Sequence, residues 1–138
     1  MCKPKEMNST IGKILEKLNQ YSEIKHELTE NSIIIRPKDK SGFPVKMIIR
    51  DRNKFIVAFD FWHEEFDNEE EALNCFAFGL STECRLKLTK RGVSIIEWTL
   101  EYQESGVWKE DSTSGKFNFA FWKSKSIEYL QNNLIERK

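Results

Sequence analysis

The stretch FIVAFDFWHEEFDNEEE, residues 55–71, decides how this chain is read. Its first part is apolar on both faces, which suits a central strand running over 54–62. Its second part places seven carboxylates within residues 60–71, beside His63, one of two histidines in the chain. Two roles compete for that acidic segment. It is a site, or it is the place where a strand leaves the core and a helix begins.

The helix reading explains much of the acid. Asp67 or Asn68 is placed to cap a helix over 68–79, and Glu69, Glu70 and Glu71 fall in its first turn, where carboxylates interact well with the dipole. Ala72, Leu73, Phe76 and Leu80 form its apolar stripe. Gly79 suits a left-handed C-terminal position.

The site reading rests on fewer residues. Asp60 interrupts the apolar run, so it needs a donor such as a Trp indole or an Arg if it is buried. Strand alternation puts Asp60, Trp62 and Glu64 on one face and Phe61 and His63 on the other. Asp60, His63 and Glu64 are the weak catalytic candidates, with Asp60 or Glu64 as acid or base and Arg85 as an anion anchor. His63, Glu64, Glu65, Asp67 and Arg85 are the binding candidates. HEEFD is not H-E-x-x-H, and adjacent acids do not converge on one metal, so no metal site is expected. No phosphate loop, dinucleotide fingerprint or nucleophile elbow occurs, and no cofactor is expected.

Outward from this segment, 138 residues suit one domain. A tail is expected at 1–8 and the domain at 9–138. An amphipathic helix is expected over 9–30, from Ile11, Ile14, Leu15, Leu18, Tyr21 and Leu28. Strands are expected at 33–36 and 45–50, with a hairpin turn at Asp51, Arg52 and Asn53. A meander follows at 83–89, 93–103, 107–111 and 116–122, and a last helix at 124–134. The expected fold is α+β, an antiparallel twisted sheet of six or seven strands with N-terminal, short middle and C-terminal helices. Matching of polar faces predicts a three-residue loop at 90–92, with Thr89 opposite Val93 and Arg85 opposite Glu97 on an exposed face.

Composition narrows the function. Lysines and arginines balance aspartates and glutamates at 22 each. That balance is not the basic excess of a nucleic-acid binder. The run GKFNFAFWKSK, residues 115–125, does interleave aromatic and basic residues. It motivates an RNA-stacking alternative through Phe117 to Trp122. Three cysteines without C-x-x-C argue against a disulfide framework or thiolate zinc site. Cys84 is in phase with Leu86 and Leu88 and points to the core. No signal peptide or membrane span is apparent, so a cytoplasmic location is expected.

Trp62, His63, Glu64 and Phe66, followed by Gly79, Leu80, Ser81, Cys84, Arg85 and Leu86, form a pattern W-H-E-x-F then G-L-S-x-x-C-R-L. This pattern resembles small bacterial proteins with an acidic helix start and no established activity. The resemblance implies a class and no mechanism. The expected function is a non-catalytic interaction module, monomeric or homodimeric, that meets a basic protein partner. An immunity-type partner of a basic toxin is one version. The alternative is a small-molecule binder or enzyme with a pocket near Asp60 and His63.

Overall fold

The computed structural model describes residues 9–21, 24–51, 53–115 and 123–135. The expected tail at 1–8 and the expected strand at 116–122 lie outside them. The fold is α+β with antiparallel sheets. Among the described residues it has two sheets, of five and four strands, rather than one sheet of six or seven.

The first sheet has the order β1 (His26–Leu28), β2 (Ser32–Ile35), β3 (Val45–Asp51), β4 (Lys54–Phe59), β5 (Trp62–Phe66). Its inner face is lined by Ile33, Ile35, Val45, Met47, Ile49, Phe55, Val57, Phe59 and Trp62, all buried. Side chains of this size each stabilise the fold by about 1.5–3 kcal/mol when removed from water. The helices α1 (Ser9–Leu18) and α2 (Glu69–Leu80) contribute Ile11, Ile14, Leu18, Ala72, Phe76 and Leu80 to the same core. The second sheet has the order β8 (Val107–Gly115), β7 (Ser94–Glu104), β6 (Cys84–Arg91), β9 (Lys125–Leu130). It adds Cys84, Leu86, Leu88, Trp98 and Leu100.

Four expectations of element type and register are corrected. The strand over 54–62 is instead a hairpin: β4 ends at Phe59, and Asp60-Phe61 turn the chain so that Trp62 pairs with Phe59. Asp60 has φ 55, a left-handed conformation that aspartate tolerates better than most residues. The helix over 9–30 stops at Leu18, because 26–28 pairs with the isoleucine-rich β2 instead. Tyr21 and Leu28 fit the helical period, yet Leu28 is exposed. The C-terminal helix is also a strand. Ser126 to Leu130 alternates as well as it spirals, and the edge of β6 takes it up.

The fourth correction is the register of β6 and β7. Arg85 lies opposite Glu101, not Glu97, and Leu86 opposite Leu100. The connection is a two-residue turn, Gly92-Val93, with Gly92 at φ 61. An extra residue, Ile96, then bulges from β7 and restores the matching of faces.

α2 begins as its sequence suggests. Asn68 caps it, its side chain accepting from the Glu71 amide at 3.0 Å. Gly79 has a different role from the one expected. It lies inside the helix, where a Cβ would stand 2.2 Å from the Phe59 ring. The helix ends instead at Ser81, whose hydroxyl donates to the Phe78 carbonyl at 2.8 Å.

The segment after β9 locks these parts together. The Asn132 amide donates to the carbonyls of Phe43, at 3.0 Å, and Gly79, at 2.9 Å, and accepts from the Phe43 amide at 3.0 Å. Leu134 N–H donates to the Leu80 carbonyl at 2.9 Å.

Candidate functional site

The acidic segment sits where the two sheets meet. The β4–β5 turn reaches the second sheet through one indole. Trp98 Nε1 donates to Asp60 Oδ2 at 2.7 Å, and the Phe61 ring packs against the same indole at 4.4 Å between centroids. The reverse contact runs from β5 to β8, where Trp62 Nε1 donates to Ser112 Oγ at 2.9 Å.

A bulge prepares β8 for this contact. Leu100 pairs with Ser112 and Glu101 with Glu110, so Asp111 is an extra residue. A bulge re-aims side chains and breaks the strict alternation. Ser112 meets Trp62 and donates to Asp111 at 3.1 Å, and the Asp111 charge acts on Glu64.

Three carboxylates from three elements thus share one electrostatic neighbourhood: the charges of Glu71 of α2 and Asp111 of β8 both act on Glu64 of β5. Partial burial raises the Glu64 pKa from its ordinary value, and the charges of Asp111 and Glu71 add to the rise. In the sequence, Glu64 belongs to the strand and Glu71 to the first turn of the helix, and nothing marks Asp111. Only the strand pairing reveals the bulge.

The remaining candidates separate. His63 and Glu65 project from the opposite face of β5 to Glu64. His63 Nδ1 lies 3.3 Å from the Phe61 carbonyl, and Asp60 is held by Trp98; no hydrogen bond joins Asp60 to His63. Lys54 stands 3.7 Å from Glu65 and 4.0 Å from Asp67. Both are exposed pairs, worth about 0–1 kcal/mol each. Glu69 is drawn away toward α1. Its hydrogen bonds from Lys13 and then Thr10 lower its pKa.

Arg85 lies on the outer face of the second sheet. Its Nη2 is 2.6 Å and its Nε 2.7 Å from Glu101 Oε1. Its guanidinium is stacked between Trp108, at 4.3 Å, and Tyr129, at 4.0 Å. Arg85 is therefore committed within the sheet. Cys84 is fully buried, and burial followed by neighbouring Cys75 pushes its thiol pKa up, away from nucleophilic use.

Among the described residues, no group of three or more His, Cys, Asp and Glu is disposed to hold a metal ion. Nor is any helix there long and apolar enough to cross a membrane. Compared with protein-family models, with curated proteins and with solved structures, the chain matches none.

Proposed function

We propose that the chain is a non-catalytic interaction module working in a bacterial cytoplasm. Its acidic surface, from the β4–β5 turn into the first turn of α2, would receive a basic protein partner. An immunity-type complex with a basic toxin enzyme is the concrete version.

One observation carries the reading. Glu64, Glu65, Asp67, Glu70 and Glu71 are all exposed from β5 to the start of α2, on both faces of β5, and the charge of Asp111 on β8 acts on Glu64. Lys54 is the cation within ion-pair reach of two of them. An opposing basic surface would relieve this like-charge crowding and steer encounter.

The pocket alternative draws less support, because Asp60 and His63 are each engaged elsewhere. The RNA alternative depends on Phe117 to Trp122, outside the described residues.

The test uses the tagged protein and its E64K/E65K/D67K variant as baits in the cells that make it. The wild-type bait should retain a basic polypeptide that high salt releases. The variant should lose it while keeping its circular dichroism. A partner held equally by both baits would overturn the reading.

A further inference from the structure

We propose that β9 is the two-fold seam of a homodimer. There, a second copy of the chain would add its own β9 antiparallel and extend the second sheet to eight strands.

The four edges of the two sheets differ in how they are protected. β1 has three residues. β5 and β8 face each other across the Trp62–Ser112 contact, and β8 carries the Asp111 bulge. β9 has none of these devices. It is six residues long, contains no proline and pairs with β6 without a register shift. Residues 125–129 are all exposed, including Ile127 at 48% and Tyr129 at 47%. Among the described residues, β9 pairs only with β6. A regular, open edge with apolar side chains is a template for another strand.

The direction of its backbone groups can be worked out. Gly92 N–H donates to the Ser124 carbonyl. The same register makes Lys90 with Ser126, and Leu88 with Glu128, the pairs that exchange hydrogen bonds. The N–H and C=O of Lys125, Ile127 and Tyr129 therefore point away from β6, toward the free edge.

The side chains then select the register. Faces match only if paired numbers sum to an even value. Centring the two-fold on Glu128 would oppose two carboxylates. Centring it on Ile127 puts Ile127 against Ile127, Lys125 against Tyr129 and Ser126 against Glu128. No like charges meet, and each residue on the free edge is in a hydrogen-bonded pair. Lys125 gains an aromatic ring as its partner. Arg85, stacked on Tyr129, already holds that ring in place. The contact is isologous, so it closes at two copies. A six-residue strand pair covers far less than the ~1,600 Å² of a standard stable interface, so association should be reversible and concentration-dependent.

Sedimentation equilibrium on the intact chain tests this. A dimer with a dissociation constant below about 1 mM is expected. I127P removes one outward N–H and leaves the β6 ladder intact. I127K sets like charges on the two-fold. Each should raise the dissociation constant about tenfold or more with unchanged circular dichroism. If I127P unfolds, I127K and cross-linking decide. I127C should form an intermolecular disulfide, since opposed residues lie within bridging range. K125C should not, because its partner is Tyr129. A wild-type chain that stays monomeric, a dimer indifferent to I127K, or equal cross-linking by the two cysteine variants would each overturn the proposal.

Discussion

The indole of Trp98, on the second sheet, donates to the carboxylate of Asp60, in the β4–β5 turn of the first. One bond thus serves two ends. It holds the sheets together and steadies a residue at φ 55. Asp60→Ala should cost about 2 kcal/mol, from the lost bond and from the left-handed backbone. Asp60→Gly loses the bond but tolerates the backbone, so it should be about 1 kcal/mol milder. Urea denaturation of the two variants separates the effects. Equal midpoints would mean that the turn carries no conformational strain.

Arg85 is the hub of a contact that crosses all four strands of the second sheet. Trp108 comes from β8, Glu101 from β7, Arg85 from β6 and Tyr129 from β9. Glu101 is nearly fully buried, so Glu101→Ala leaves a guanidinium without its counter-charge and should cost about 3 kcal/mol. Arg85→Lys keeps the charge and loses the planar stack, for about 1–2 kcal/mol. A double-mutant cycle with Tyr129→Leu would show coupling for Arg85 if the stack contributes.

Glu64 makes stability fall with rising pH. Its folded pKa lies above its unfolded value. Below the unfolded value both states are protonated and there is no effect. As pH rises through the raised value, the folded state is disfavoured. Glu64→Gln should therefore match the wild type in acid and exceed it at neutral pH, read from urea midpoints across the carboxylate range. Glu69 acts in the opposite sense. Its lowered pKa gives stability that is present above its unfolded value and lost as pH falls through the lowered one. Glu69→Gln should remove that acid-sensitive part.

Gly79→Ala inverts the usual expectation for a helix. Alanine is favoured over glycine by about 1 kcal/mol in an exposed helix. Here the new methyl would meet the Phe59 ring, which is fully buried and stacked on Trp62 at 4.9 Å. A net loss of about 2 kcal/mol is expected from overpacking, measured by thermal melting. Phe59→Leu in the same chain should restore part of it.

The parts legible in the sequence were those with local signals. Asn68 ahead of three glutamates announced α2, and Asp51 to Asn53 announced the β3–β4 hairpin. The α+β class followed from alternation in β6 and β7. The illegible parts lacked such signals or obeyed two periods at once. Asp60-Phe61 makes a tight turn without the glycine that usually marks one. Residues 26–28 and 125–130 satisfy helix and strand patterns alike, and their neighbours β2 and β6 decided the outcome. Asp111 became visible only as the residue left over when β7 and β8 were paired. For the candidate site, the acidic segment was plain, but its meeting with a third element was not.

Asn132 has a consequence for the order of events in the cell. It satisfies the amide and carbonyl of Phe43 and the carbonyl of Gly79, chain separations of 89 and 53 residues. A ribosome therefore releases the first sheet and α2 well before the side chain that fastens them. Until then the loop before β3 and the end of α2 share packing on Phe59 but no hydrogen-bonding side chain that joins them. The nascent chain must carry an apolar layer without its clasp, and final locking waits on late synthesis.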